Sequence, residues 1–251
     1  MKTVLLDSNV YRKILVPSDF RKSLTFKQAE KIHNTIKNKT ILAFLSETIF
    51  SVEAIEKKDR KTFLSDNKPK TIVQNIQGND KTGVSMSIGP STSIQLDSYR
   101  QKYLDVAKEL NVKIISSPRI GFPKPELPKS VYAEFTNEKY ERSCRLSRDL
   151  EEKGYGIAQI KKIGEEKYGK KWWDIIREKD SKDVAKAFSE WADGDSISLC
   201  YGYSIDYFCT EDKGKSALEP SILSETGKKW LLENYNIKTC SIIELCDILK
   251  L

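Results

Sequence analysis

Short apolar runs, each bounded by polar or turn-forming residues, constrain this chain more than any other feature. Val4-Leu5-Leu6, Ile41-Leu42-Ala43-Phe44-Leu45, Val112-Lys113-Ile114-Ile115, Tyr207-Phe208-Cys209 and Ile237-Lys238-Thr239-Cys240 are too short to be helices of their own. The continuous apolar run Ile41–Leu45 suits a strand buried on both faces, as in parallel sheets, and the others resemble strands. Stretches with helical spacing alternate with them. Thr25 opens a helix over 26–37 with Ile32 and Ile36 on its core face, and Ser46 opens another over 47–57. Further helices are expected over 95–110 (Tyr99, Tyr103, Leu104 and Ala107 inward), 129–154, 157–168, 172–179, 196–203 and 226–234, with a short one at the end. Strand and helix in alternation imply an α/β fold, a mostly parallel sheet flanked by helices. The pattern weakens over 58–93, where Thr71-Ile72-Val73 and Val84-Ser85-Met86-Ser87-Ile88 suggest short strands or a hairpin. The chain thus divides into two sheet-forming parts, 1–57 and 183–251, around a mainly helical insertion over 58–182.

Several classes of chemistry are disfavoured by composition. No apolar run approaches the ~20 residues of a membrane span, and Asp7 and Arg12 interrupt the N-terminus before a secretion signal could form, so a cytoplasmic protein without a membrane partner is expected. The cysteines, Cys144, Cys200, Cys209, Cys240 and Cys246, form no C-x-x-C pair and read as reduced, buried thiols. The single histidine, His33, lies on the 26–37 helix beside Ile32 and Ile36 and reads as structural. A catalytic triad or a histidine metal cage is therefore disfavoured, and any chemistry is expected to run on carboxylates. The net charge of +7, from 43 basic and 36 acidic residues, favours an anionic partner such as nucleic acid or, equally, describes a lysine-rich solvated surface.

Two of the strands end in acid, the first in Asp7 and a later one in Thr210-Glu211-Asp212. Parallel strands present their C-terminal ends on one edge, where open α/β sheets place their sites. Asp7 and Asp212 are therefore expected to face each other, with Asn9 beside Asp7. Asp195, expected to begin the helix feeding the later strand, and Glu53, in the helix after the second strand, should lie near the same edge. Carboxylates gathered in this way repel one another, and a divalent cation with oxygen ligands, Mg²⁺ or Mn²⁺, resolves the conflict. Taken singly, Asp7 and Asp195 also read as simple helix caps.

At these residues the chain resembles the PIN-domain nucleases. Leu5-Leu6-Asp7-Ser8-Asn9-Val10 resembles their opening motif and 46–55 their second, in which a helix carries one inward glutamate, best matched by Glu53. Asp195-Ser196-Ile197-Ser198-Leu199 resembles the third, and Phe208-Cys209-Thr210-Glu211-Asp212, a strand ending in T-x-D, the fourth. The resemblance covers roughly 1–57 and 183–251, and the long stretch between departs from the family. It implies a Rossmann-like sheet and a metal-dependent endoribonuclease, with Asp7, Glu53, Asp195 and Asp212 holding Mg²⁺ or Mn²⁺ and the Thr210 hydroxyl at the same edge. Glu47 and Asp193 are alternative or additional ligands; as bland readings, Glu47 complements a helix dipole and Asp193 caps a helix. The family also implies RNA as the usual substrate, with a toxin role and an inhibitory protein partner as family-level expectations. In the middle segment, Lys161, Lys162, Lys170, Lys171, Trp172 and Arg145 combine charge with an aromatic face and are candidate substrate contacts; core tryptophans under a solvated lysine face are the plainer reading. Cleavage of DNA or of a branched structure, and a non-catalytic RNA-binding or scaffold role, remain the alternatives.

Overall fold

In β1 (Lys2–Leu6) alternate side chains part to opposite faces, as the pleat requires. Val4 and Leu6 enter one apolar cluster, and Leu5 enters another. The computed structural model describes residues 1–51, 70–77, 82–89, 95–117, 124–169, 181–214 and 221–251. After β1 come α1 (Tyr11–Leu15), α2 (Phe26–Lys37) and β2 (Ile41–Ser46). β2 lies parallel to β1, with Leu6 opposite Leu45. A separate antiparallel hairpin, β3 (Lys70–Gln77) with β4 (Thr82–Gly89), occupies the stretch expected to hold short strands. Then follow α3 (Ser98–Glu109) and β5 (Lys113–Ile115), which joins the outer side of β2. The segment expected as an insertion thus supplies the edge strand of the main sheet.

The second half contains α4 (Asn137–Glu152), α5 (Ile157–Lys162), α6 (Ser181–Gly202), β6 (Tyr207–Cys209), α7 (Glu225–Tyr235), β7 (Lys238–Cys240) and α8 (Ile242–Leu249). All five strands of the sheet run parallel in the order β5-β2-β1-β6-β7. The chain moves outward from β1 through β2 to β5, then returns to lay β6 against the free side of β1. The order therefore reverses between β1 and β6, where doubly wound sheets open a crevice at the strand C-termini. On one face α1, α2 and α8 bury Ile14, Ile32, Ile36 and Leu245 with Val4 and Leu6. On the other, α4, α6 and α7 bury Leu146, Ile197 and Leu231 with Leu5 and Phe208. The sheet separates two cores, and its C-terminal edge remains to be furnished by loops.

Local expectations fail where a long-range contact outweighs propensity. The 129–154 stretch is not one helix. Tyr132 bridges to Ile114, Ala133 N–H donates to the Ile114 carbonyl (2.8 Å), and only then does Thr136 cap α4. Nor does Asp195 begin a helix: α6 runs unbroken through Gly194. A glycine in mid-helix costs about 1 kcal/mol of propensity, but a Cβ on Gly194 would stand 3.2 Å from the Gly156 Cα. Close packing against the start of α5 is what fixes glycine there. Thr25 stands before α2 without bonding its amides, its hydroxyl lying 3.0 Å from that of Ser23. Tyr99, expected to face inward, is 50% exposed while Tyr103, Leu104 and Ala107 are buried. His33 Nδ1 lies 3.1 Å from the Ile14 carbonyl oxygen, a link between α2 and α1. The cysteines are all free, four of them buried. Among the described residues no helix is long and apolar enough to cross a membrane.

α4 crosses α6 closely at Gly202. A Cβ on Gly202 would lie 1.9 Å from Ser143 Oγ and 2.7 Å from the Lys139 carbonyl oxygen. Gly202→Ala is expected to destabilise by about 1–3 kcal/mol, read as a thermal midpoint lowered by roughly 2–4 °C per kcal/mol. Adding Ser143→Ala should recover only part of the loss, because the carbonyl remains; full recovery would contradict this packing.

Candidate functional site

Asp7 is the first residue beyond β1, and its amide still donates to the Cys209 carbonyl of β6 (3.0 Å). The chain then turns at once, with the Val10 and Tyr11 amides donating back to the Asp7 carbonyl at 3.1 and 2.9 Å. This turn holds the Asp7 carboxylate over the gap between β1 and β6, where it is 4% exposed. Oδ1 accepts from the Ser8 amide at 2.7 Å. Oδ2 accepts from the Thr210 hydroxyl at 2.6 Å and the Asn9 side-chain amide at 2.9 Å. Asn9 Oδ1 in turn accepts from the Glu211 amide (3.0 Å), so Asn9 staples the loop after β1 to the loop after β6. The Thr210 hydroxyl also accepts the Asp212 amide at 3.0 Å, which turns the chain after β6.

Asp212 Oδ1 accepts the amide of Gly214 at 2.8 Å. Gly214 has φ +66°, and a Cβ there would meet the Ser224 amide at 2.6 Å, so both conformation and space require glycine. Burial raises the Asp7 pKa above the ordinary carboxylate value, hydrogen bonds from Thr210 and Ser8 oppose the rise, and the charge of Asp212 adds to it. The structure thus brings Asp7, Asn9, Thr210 and Asp212 together.

Asp195 lies on the stretch of α6 that crosses this edge and is 5% exposed. Its Oδ2 accepts the Ser117 hydroxyl at 3.3 Å, just past β5. The Ser117 amide donates to Glu47 Oε2 at 3.0 Å, and Glu47 also accepts from Ser116 Oγ (3.0 Å) and Tyr132 Oη (2.7 Å). Lys124 Nζ stands 3.8 Å from the same carboxylate. Glu47 is therefore a buried fastener joining the ends of β2 and β5, with both oxygens engaged. Burial, and next the charge of Glu47, raise the Tyr132 phenol pKa. Ser196 beside Asp195 meets Thr48 Oγ1 at 3.4 Å, tying α6 to the end of β2. Asp193 is half-buried on α6.

Glu53, Lys170, Lys171 and Trp172 lie outside the described residues. Lys161 pairs with Glu151 of α4, and Lys162 is 3.9 Å from Glu166, one turn on. Arg145 is exposed on α4.

Sequence reasoning missed Glu190, on α6 and 1% exposed. It accepts the Ile222 amide at 2.6 Å and the Ser221 hydroxyl at 3.0 Å. Burial pushes its pKa up to about 7; the Ile222, Ser221 and Gly156 donors oppose the rise, and the charge of Asp212 adds to it. Its place between Phe188 and Trp191, one turn after Ala187 on the apolar stripe of α6, was the available signal.

Beside Asp212 opens a cleft of about 770 Å³ between the ends of β6 and β7, α7 and the start of α8. Lys213, Lys228, Lys229 and Lys238 line it, opposed by Glu211, Asp212, Glu225 and Glu244. Two of those acids serve α8: Glu211 accepts the Ile242 amide (3.1 Å), and Glu244 closes a capping box with Ser241. Lys228 Nζ donates to the Asp212 carbonyl at 3.2 Å, leaning over the floor of the cleft. Among the described residues, no group of three or more His, Cys, Asp or Glu side chains is close enough to hold a metal ion. The donor set nevertheless suits a hard cation. It is all oxygen, Asp7 is a buried carboxylate with a raised pKa, and Mg²⁺ commonly binds through one or two carboxylates while keeping several waters. No protein-family model and no curated protein matches the chain.

Glu190 makes stability depend on pH. Its folded pKa of about 7 lies above the ordinary 4.5, so its contribution is complete below about pH 4.5 and is lost as pH rises through 7. Glu190→Gln, whose single oxygen can still accept the Ile222 amide while its NH2 donates to the Ser221 hydroxyl, carries no titratable group and is expected to remove that component. Relative to the wild type, its thermal midpoint should rise progressively from pH 5 to pH 8. Parallel pH profiles for the two proteins would refute the assignment.

Proposed function

We propose that this chain is a metal-dependent endoribonuclease of the PIN type, hydrolysing RNA phosphodiester bonds at the edge between β1 and β6. One observation carries the reading: a sealed carboxylate, Asp7, is gripped by Thr210 and Asn9 at the strand-order reversal, with the charge of Asp212 beside it. Asp7 and Asp212 would hold Mg²⁺ or Mn²⁺, with Asp195 across the edge and Glu53 as the further acids implied by the resemblance. When bound, such an ion supplies a water of lowered pKa and a counter-charge for the phosphate. The chain's own residues do the positioning. Thr210 and Asn9 fix which Asp7 oxygen lone pairs remain available, and the Gly214 turn fixes Asp212. The lysines of the adjoining cleft, Lys213 and Lys228 foremost, face the place where flanking phosphates would lie. No protein nucleophile is required.

A second reading rests on the lysines that line the cleft beside Asp212: the chain would bind RNA without cutting it. Cleavage of DNA calls on the same phosphate chemistry and is separated only by substrate.

The test is cleavage of labelled single-stranded RNA and matched DNA in Mn²⁺, Mg²⁺ or EDTA by wild type, Asp7→Asn and Asp212→Asn. Expected is metal-dependent RNA cleavage that falls at least about a hundredfold in either variant, a barrier change of about 3 kcal/mol. Circular dichroism would establish that the variants fold. Cleavage that survives EDTA or Asp7→Asn would overturn the proposal. RNA binding without cleavage in all three proteins would install the second reading.

A further inference from the structure

Outside the carboxylates and the cleft, an aromatic ladder rises from the core to the surface. Phe50, after β2, meets Tyr11 edge to face with centroids 6.3 Å apart. Tyr11 meets Tyr103 at 5.7 Å, and Tyr103 meets Tyr99 at 5.1 Å, both near-perpendicular. The first three rings are buried; the last is half exposed. Its hydroxyl is fixed as well, accepting from Arg12 Nη1 at 2.9 Å with the Tyr103 hydroxyl 3.5 Å away. Tyr99 is thus a half-exposed ring held by the Tyr103 ring and at its own hydroxyl.

Both members of this pair stand near the candidate site. Arg12 lies in the first turn of α1, directly after the Asp7 turn. Tyr99 is the second residue of α3, which leads into β5. Because β5 runs parallel to β1, a helix packed antiparallel before it begins toward the edge that bears Asp7.

Arg12 carries a charge that the described residues leave without an ion-pair partner: its contacts are the Tyr99 hydroxyl and ring, the ring centroid lying 6.0 Å from Cζ. Neighbouring carboxylates are engaged elsewhere. Asp19 accepts from Lys102 at 2.6 Å and from the Tyr103 hydroxyl at 3.2 Å, while Asp97 caps α3 and pairs with Arg100. A guanidinium has five donors, so Arg12 keeps donors for an anion beside a rigid aromatic face. Base stacking on aromatic rings together with cationic contacts to the backbone is how proteins hold single strands. A pre-ordered ring also lowers the ordering penalty of binding.

We propose that Tyr99 and Arg12 form a nucleotide platform, Tyr99 stacking an unpaired base and Arg12 holding an adjacent backbone phosphate, so that the nuclease site takes a single strand. The inference rests on the nucleic-acid reading of that site and narrows it, because in a duplex the faces of the bases are stacked on one another and closed to Tyr99.

Binding is measured in EDTA, where cleavage is silent, by fluorescence anisotropy with full-length protein. The probes are a short fluorescein-labelled RNA strand of mixed sequence, the same strand as DNA, and the RNA duplex. Tyr99→Ala is expected to weaken single-stranded RNA binding roughly tenfold, whereas Tyr99→Phe and Tyr99→Trp, which keep a ring, should stay within about twofold to threefold of wild type. Arg12→Gln should reduce the slope of log affinity against log salt by about one phosphate contact. Duplex binding should be insensitive to Tyr99→Ala. An equal loss with single-stranded DNA supports a platform that reads base and phosphate; a loss confined to RNA supports one that also reaches the 2′-hydroxyl. If wild type and Tyr99→Ala bind RNA alike while Asp7-dependent cleavage persists, this inference fails and the nuclease reading stands. If wild type binds no RNA and cuts none, both fall.

Discussion

The hydrogen bonds that converge on the Asp7 carboxylate are the contacts on which the C-terminal edge of the sheet depends. A carboxylate sealed from water is destabilised by several kcal/mol unless its lone pairs are met, and charge-assisted hydrogen bonds return about 1.5–3 kcal/mol each. The donors are Ser8, Asn9 and Thr210, two from the loop after β1 and one from the loop after β6. Asn9 also accepts from the Glu211 backbone, and Thr210 also accepts the amide of Asp212. One buried charge therefore sets the path of two loops that are adjacent only because the strand order reverses between them. Compensation is incomplete, as the raised Asp7 pKa indicates. An acid kept in that condition is suited to a cation, the use proposed for it.

A second buried carboxylate builds the other half of the edge. Glu47 gathers Ser116, Ser117 and Tyr132 around the ends of β2 and β5, and Ser117 passes the connection to Asp195 through its hydroxyl. α6 spans the two halves. Its Asp195 bonds toward β5, while its Glu190 lies within the field of Asp212 and bonds the loop before α7. The helix thus does more than cover the sheet: it couples the acids of one half to the loops of the other.

Much of the frame was legible residue by residue. The strands at 2–6, 41–46 and 207–209 were marked by apolar runs, those at 113–115 and 238–240 by their place in the alternation, and the parallel arrangement by the helices between them. The approach of Asp7 and Asp212 followed from strand ends sharing an edge, and the place of the Thr210 hydroxyl from the family resemblance. Other features were hidden. Tyr132 leaves the expected helix because the backbone of β5 offers it a pairing partner. Glu190 looks in sequence like any charged residue between aromatics, and only the Ser221, Ile222 and Gly156 donors make its burial tolerable. Tyr99 fits the inward stripe of its helix, yet the stripe reaches the end of the core one turn before it does.

The sequence by itself determined the periods, two for strands and 3.6 for helices, and with them the layers of the fold and the acids that stand at strand ends. These are local properties, written in side-chain spacing. Tertiary structure alone decided which carboxylates became buried, which donors met them, and that Glu47 would bind two strand ends together. A carboxylate's state depends on the dielectric and the hydrogen bonds around it, and those are supplied by residues far along the chain. For Asp7, Glu47 and Glu190 the decisive partners come from such distant loops, so their chemistry existed only once the sheet had closed around them.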